Sequence, residues 1–300
     1  MQYMTDIYSY QSEKHSAVTL GKFDGLHLGH QLLIDKIRSY RSENVRTVVV
    51  AFDMGRATLT TAEEKRELLK DQVDCLIVCP FTREIREMEA EDFIRTILVE
   101  KMKVLYIVVG TDFHFGRDKR GDTSMLAEYA GVYGYHLNVI DKKKYQETII
   151  SSTYVRESLE EGQIELANTL LGHPYRMSGR VEHGKQLGRM LGFPTMNVYP
   201  KPGKIMPCNG VYACDVVLDG RRYHGIGNVG VKPTVTDEKK LLAEIFVFGF
   251  EGDAYGKEII VEFLSYERPE QKFHSVEELK ERIREDIRFG KRYFGLTVRE

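Results

Sequence analysis

Three hundred residues exceed one ordinary domain and suit two, each able to bury its own core. The chain is 42% hydrophobic and 29% charged, and its 43 Lys plus Arg against 45 Asp plus Glu give a formal net charge of −2, which excludes a global basic field for nucleic acid. No apolar run reaches the length of a membrane span and the N-terminal residues lack an apolar h-region, so a cytoplasmic protein without a membrane partner is expected.

The first strong signal runs from Val18 to Arg38. A short β-prone run ends at Leu20, two glycines permit a tight turn, and Leu28, Leu32, Leu33 and Ile37 then take helical spacing. A strand, a glycine loop and a helix start bring backbone N–H groups and a positive dipole end close to an anion. His27 and His30, three apart, share one helix face and can point at the same phosphate. Next, Arg46 to Phe52 is a continuous β-branched run, expected of a strand buried on both faces. Thr61 with Glu64 makes a capping-box pattern before a helix. Residues 75–79 read as strand, 90–98 as helix, 104–109 as strand, 125–131 as helix and 136–140 as strand. This alternation predicts a parallel sheet covered by helices, with ligands at the carboxyl ends of the strands. Two stretches fall where that rule places chemistry. One is Gly110 to Arg117, a loop with glycines, an acid and a basic residue. The other is Ile150 to Arg156, whose hydroxyls and free backbone donors can hold phosphate while Arg156 adds a bidentate contact.

Ile164 to Leu171 reads as a short helix stopped by Gly172, with Pro174 beyond, and the domain boundary is drawn there, giving residues 1–173 and 174–300. From Met177 onward β-rich runs alternate with glycine turns. Val211 to Leu218 alternates, Asp219-Gly220 supplies a hairpin turn, and runs at 242–248 and 258–264 flank a glycine loop. A small antiparallel barrel is predicted. Ser275 and Glu278 open a final helix whose stripe of Leu279, Ile283 and Ile287 should lie on it. Within residues 179–197, repeated glycines with Lys185 and Arg189 can form a phosphate-covering loop. Thr195 and Asn197 offer oxygens on one side of an extended segment, a donor set suited to magnesium bound with ATP. Glu244 stands among apolar strand residues, an odd place for a carboxylate unless it faces a site. The cysteines Cys75, Cys79, Cys208 and Cys214 lack paired C-x-x-C spacing and read as buried reduced thiols.

The string from Gly21 to His30 resembles the H-x-G-H signature of nucleotidyltransferases, in the version carried by bacterial flavin-adenylating enzymes. Residues 110–117 resemble that family's G-x-D-F-x-F-G-R segment, and 150–156 its I-S-S-T-x-x-R motif. Residues 188–197 are similar to the G-R-x-L-G-F-P-T-x-N signature of riboflavin kinases. Over residues 16–290 the chain thus resembles the bifunctional prokaryotic riboflavin kinase/FMN adenylyltransferase (FAD synthetase) family. The resemblance implies an N-terminal Rossmann-like parallel-sheet domain that adenylates FMN to FAD, and a C-terminal riboflavin-kinase barrel with a terminal helix that makes FMN. ATP, riboflavin and FMN are the implied small-molecule partners, with Mg2+ accompanying ATP; FMN and FAD are substrate and product rather than prosthetic groups. No oligomeric state is implied.

By the same resemblance, His27 and His30 face the α-phosphate; Gly21, Phe23, Asp24, Gly25, Gly29, Gly110 and Asp112 bind the nucleotide; Ser151, Ser152, Thr153 and Arg156 hold the departing phosphates. In the kinase, Gly184, Lys185, Gly188, Arg189, Gly192 and Pro194 bind the nucleotide together with Thr195 and Asn197, which also hold the metal. Glu244 orients or deprotonates the riboflavin hydroxyl, and Arg268 lies near the flavin. Two departures stand out. The family's F-x-P-H-P loop is here Phe52-Asp-Met-Gly-Arg-Ala-Thr58, leaving Arg56 as a substitute positive charge, and the usual histidine and acid beyond Glu244 are Phe246 and Gly249. They leave open an enzyme with one live site, or a non-catalytic flavin-binding regulator.

Overall fold

β-branched and aliphatic runs build a six-stranded parallel sheet in the first of two compact units, Met1–Ser152; the second is Thr153–Glu300. The computed structural model describes residues 1–184, 187–233 and 239–297. In chain order the first unit contains β1 (Gln2–Met4), β2 (Ser16–Gly21), α1 (Leu28–Ser39), β3 (Arg46–Asp53), α2 (Ala62–Leu69), β4 (Cys75–Pro80), α3 (Arg83–Glu87) and α4 (Ala90–Asp92). α4 continues as wider π-helical turns over Phe93–Lys101. Then come β5 (Val104–Gly110), α5 (Thr123–Tyr133), β6 (His136–Ile140) and a small hairpin, β7 (Lys144–Tyr145) with β8 (Thr148–Ile149).

The strand order is β1-β4-β3-β2-β5-β6. Val18, Leu20, Val48 and Val50 face one apolar layer, while Ala17, Val49 and Ala51 face the other beside Leu33, Ile34 and Ile37 of α1. Both faces are dry, which is why the sequence runs are continuous rather than alternating. From β2 the chain adds β3 and β4 on one side and then returns to place β5 on the other. The carboxyl ends of β2 and β5 therefore flank the topological switch point, the place where open α/β sheets bind ligands. α2 starts in the predicted capping box: Thr61 accepts from the Glu64 N–H and Glu64 accepts from the Thr61 N–H at 3.0 Å.

α6 (Ser152–Glu160) leads into the second unit, and α7 (Ile164–Leu171) stops where Gly172 turns to φ 75°. Asn168 of α7 donates to the Phe263 carbonyl at 2.9 Å and accepts from the Tyr175 N–H at 2.6 Å. The packing division at Ser152 thus precedes the change in sequence texture at 173/174, because α7 is fastened to the strands that follow it. These are β9 (Tyr175–Glu182), α8 (Leu187–Met190), β10 (Met196–Val198), β11 (Gly210–Leu218), β12 (Arg221–Pro233), β13 (Lys239–Val247), β14 (Glu258–Arg268) and α9 (Val276–Tyr293). The strands close into an antiparallel barrel in the order β10-β13-β12-β11-β14-β9. Asp219 and Gly220 both take positive φ, 50° and 75°, as a two-residue hairpin with the correct twist requires. β11 does not alternate between dry and wet faces, being buried almost throughout with α9 packed against it.

Gly290 lets α9 approach closely, since a Cβ there would stand 2.6 Å from Cγ1 of Ile226. The helix is fastened by Asp286, which takes a bidentate pair from Arg268 at 2.8 and 2.6 Å, the two side chains being 6% and 12% exposed. Breaking a buried pair by removing one partner strands the other charge. Asp286→Ala is expected to destabilise the barrel by about 3–5 kcal/mol, read as a lowered denaturation midpoint.

Candidate active sites

The first site is made by the turn between β2 and α1. Phe23, Gly25 and Leu26 take φ of 46°, 84° and 49°. The strained backbone at the two larger residues is offset by full burial of their side chains. Asp24, 8% exposed, accepts at Oδ1 from Thr58 Oγ1 (2.6 Å), the Leu59 N–H (2.7 Å) and the Thr60 N–H (3.3 Å). Gly25 N–H donates to Thr60 Oγ1 at 2.8 Å, and the Asp24 carbonyl accepts from Ser152 Oγ at 2.8 Å. Asp24 is therefore a clamp that fastens the loop to the 58–60 segment and sets Ser152 beside it.

His27 caps α1: its Nδ1 accepts from the His30 N–H at 3.3 Å. The two imidazoles stack with centroids 3.7 Å apart and planes 18° from parallel. Gly29 leaves room for this, because a Cβ at 29 would stand 3.1 Å from the His27 ring. Burial pushes the His27 imidazole down to about 4 against the opposing pull of Asp24. Burial, His27 and the Lys65 ammonium hold His30 well below the ordinary histidine range. Both rings are thus neutral at physiological pH. The Nδ1 of His30 is buried without a hydrogen-bond partner, which a satisfied core histidine would not show.

Arg56, the substitute charge suggested by the sequence, is exposed on the loop after β3. A cation that acts on His30 is Lys65 of α2, buried and donating to the Thr60 carbonyl at 2.7 Å. Sequence reasoning missed it within Glu63-Glu64-Lys65-Arg66, where only the Thr61 and Glu64 capping pattern stood out. The available signal was its place four residues before the buried Leu69, on the inward face of α2.

The loop after β5 stands across the switch point, closed by reciprocal backbone bonds between Phe115 and Gly121 at 3.0 Å. A Cβ at Gly110 would touch Asp112 Oδ1 at 3.4 Å, and the Asp112 carboxylate pairs with Lys142 at 2.8 Å, which lowers its pKa. Gly21 lies against the Phe23 ring at a similar approach. Ser151 immediately precedes α6, and Thr153 and Arg156 occupy its first two turns.

The second site lies on the outer face of the barrel. Asn197 of β10 is in register with Glu182 of β9 and Glu244 of β13, and Glu244 with Asn228 of β12. Directly opposed residues of antiparallel strands project to one face, so these four polar side chains form a row. Met196, Val198, Ala243 and Ile245 alternate to the other face and are buried, which explains why Glu244 sits among apolar neighbours in the sequence. A Cβ at Gly184 would meet Asn197 Nδ2 at 2.6 Å, and one at Gly188 would stand 2.4 Å from the Phe193 carbonyl and 3.3 Å from Thr195 Oγ1. These glycines thus let the backbone lie directly on Thr195 and Asn197. Gly192 turns at φ 89° and Pro194 is exposed. Lys185 lies outside the described residues, as does the side chain of Arg189. Phe246, where a histidine is usual, meets Phe193 edge-on at 6.1 Å, giving the site an apolar wall, and Gly249 turns at φ 66°. His183, missed in the sequence, stacks on Tyr255 at 3.7 Å and joins the turn between β13 and β14 to the 179–197 segment. Arg268, expected near the flavin, has its guanidinium engaged by Asp286.

A hydroxyl and an amide oxygen are hard donors that fit Mg2+ shared with phosphate oxygens. Among the described residues no three His, Cys, Asp or Glu side chains converge as a protein-only metal cage. Also among them, no helix is long and apolar enough to cross a membrane.

The family model for FAD synthetase matches residues 9–154 and that for riboflavin kinase matches residues 171–294. The bifunctional riboflavin kinase/FMN adenylyltransferase of Buchnera aphidicola (subsp. Schizaphis graminum) is 36% identical over 298 residues, covering 94% of this chain and 95% of the relative. The protein of that name from Pseudomonas fluorescens is 35% identical over 300 residues, covering 96% of each chain. That from Escherichia coli K12 is 36% identical over 293 residues, covering 93% of each. A crystal structure named macrolide-efflux protein, from Streptococcus pneumoniae, shares the fold with a TM-score of 0.85 at 28% identity, covering 96% of this chain and 98% of that one. With a family model matched in each half and relatives that span both, the chain belongs to the bifunctional riboflavin kinase/FMN adenylyltransferase family.

Proposed function

We propose that the barrel phosphorylates riboflavin to FMN with Mg-ATP and that the parallel-sheet module transfers an adenylyl group from a second ATP to FMN, giving FAD and pyrophosphate. The observation that carries this reading is the presence of two separately built sites. A neutral imidazole pair stands at the sheet's switch point, and a carboxylate and amide row runs under a glycine loop on the barrel.

In the kinase step the terminal hydroxyl oxygen of riboflavin attacks the γ-phosphorus. An O–P bond forms, the bond to the β-bridging oxygen breaks, ADP leaves, and the hydroxyl proton passes to Glu244. Thr195 and Asn197 would hold the Mg2+, which neutralises phosphate charge. The glycines at 184 and 188 bring backbone N–H groups to the phosphates. In the adenylyl step a phosphate oxygen of FMN attacks the α-phosphorus and pyrophosphate departs, with no proton required from the protein. The loop at 21–30 and the α1 N-terminus orient the α-phosphate, and the imidazoles hydrogen-bond to oxygens on which charge grows. Ser151, Ser152, Thr153 and Arg156 are assigned to the departing pyrophosphate, and Gly110 with Asp112 to the wall of the nucleotide site. The functional division falls at 173/174, so that the whole I-S-S-T-x-x-R string serves the first activity. ATP, riboflavin and FMN make the cytoplasm the expected workplace.

Chromatography of the flavins tests the assignment. Riboflavin, ATP and Mg2+ are expected to yield FMN and then FAD, and supplied FMN to yield FAD. Accumulation of FMN alone would identify a dead adenylyl site, the concern raised by the missing loop imidazole. FAD from FMN but not from riboflavin would identify a dead kinase, and unconsumed ATP would leave only a flavin-binding protein.

A further inference from the structure

Lys65 of α2 is a buried cation that the sequence motifs do not account for. The residue is 7% exposed. Among the described residues it forms no salt bridge, and the Thr60 carbonyl at 2.7 Å is its one hydrogen-bond acceptor. An ammonium has three N–H donors, and burying a charge without a paired anion is costly. Two donors on a fixed cation are therefore uncommitted. Burial lowers the Lys65 pKa, with Asp24, Asp53 and Glu64 pulling the other way; of these Asp24 is engaged by the 58–60 segment and Asp53 by the Gly55 N–H at 2.9 Å.

We propose that Lys65 is a phosphate-binding residue of the adenylyl-transfer site, providing the positive charge that the 52–58 loop no longer supplies through an imidazole. The proposal rests on reading the first module as an adenylyltransferase. Three structural facts carry it. The capping box at Thr61 and Glu64 fixes the first turn of α2 and so aims position 65. The same Thr60 that accepts from Lys65 holds Gly25 through its hydroxyl, so the cation is tied by two hydrogen bonds to the loop that ends at His27. Finally, Lys65 acts electrostatically on His30, whose other charged or titratable neighbour is His27; Asp24 faces His27, and Asp24, Asp53 and Glu64 face Lys65.

Lys65→Met and Lys65→Arg test it. In Lys65→Met, adenylation of supplied FMN is expected to fall about 10²-fold while FMN formation from riboflavin is unchanged. Lys65→Arg, which keeps the charge, should recover much of the loss. The acid limb of the adenylation profile should also move to higher pH in Lys65→Met, because removing a positive neighbour lets His30 take a proton more readily. A purely structural lysine would not move that limb. Wild-type adenylation with an unchanged acid limb in Lys65→Met would overturn the proposal, as would a Lys65→Arg variant as impaired as Lys65→Met. Calorimetric binding of inorganic pyrophosphate needs no turnover and separates this inference from the reading beneath it. If the wild type makes no FAD, the adenylyltransferase reading fails, while weaker pyrophosphate binding in Lys65→Met than in the wild type still supports the site and equal binding overturns it.

Discussion

Glu244→Ala is expected to stop conversion of riboflavin to FMN, a fall of about 10²- to 10⁴-fold, while supplied FMN is still converted to FAD. The size follows from the role: without a carboxylate to accept the hydroxyl proton, the oxygen attacking the γ-phosphorus must carry that proton into the transition state. The selectivity follows from place. Glu244 projects from β13 on the outer face of the barrel, opposite Asn197, whereas the imidazole pair belongs to the first unit. Because the buried alternate residues Ala243 and Ile245 hold the strand in the core, truncation at 244 should leave the denaturation midpoint nearly unchanged. Glu244→Gln keeps the size and a hydrogen-bonding end but cannot accept the proton, so it should resemble alanine in rate if Glu244 is a base. Partial activity would indicate an orienting role. Time courses fed with riboflavin and, separately, FMN give the answer, and equal loss of both activities would refute separate sites.

The parts of this architecture that were legible in the sequence are those set by local pattern. The switch from β-prone to helical spacing at Leu20 to Leu28, the capping box at Thr61, the Ser275 N-cap, the Asp219-Gly220 turn and the Gly172 stop all appear as expected, while the Glu278 carboxylate accepts from the His274 N–H at 2.8 Å and so leaves the second capping box half made. Each depends on residues within one or two turns of one another. Less legible was whatever depends on pairing across the chain. β1 is three residues long and exists because it lies in parallel register with Cys75 to Ile77. β11 was expected to alternate, but α9 packs against it. Among site residues the same divide holds. The stacking of His27 on His30 follows from their spacing, whereas Asp24 acts as a clamp because its loop folds over Thr58 to Thr60, more than thirty residues away. Asp112 and Arg268 were read as ligand-facing from motif position alone. Lys142 and Asp286, which engage them, come from distant segments.

Replacing both His27 and His30 by alanine is expected to lower adenylation of FMN by about 10²- to 10³-fold and to spare FMN formation. The stacked rings stand at the start of α1, where their N–H groups can meet oxygens gaining charge as the α-phosphorus is attacked. The double variant alone would confuse chemistry with capping, since His27 is also the N-cap and losing a cap costs about 0.5–2 kcal/mol. His27→Asn separates them, because asparagine caps well but carries no imidazole. It should lose rate without losing thermal stability. The pH dependence adds a second constraint. With His27 pushed down to about 4 in the folded protein against 6.5 as its ordinary value, the unfolded chain binds the extra proton first as the medium is acidified. Stability from this residue is therefore lost as pH falls below 6.5 and levels off only near 4. Adenylation through neutral rings should hold steady across that same interval and decline only toward its acid end. A wild-type rate that instead rises as His27 gains a proton would mean that the pair acts as a cation, and the roles of the imidazoles and of Lys65 would have to be exchanged.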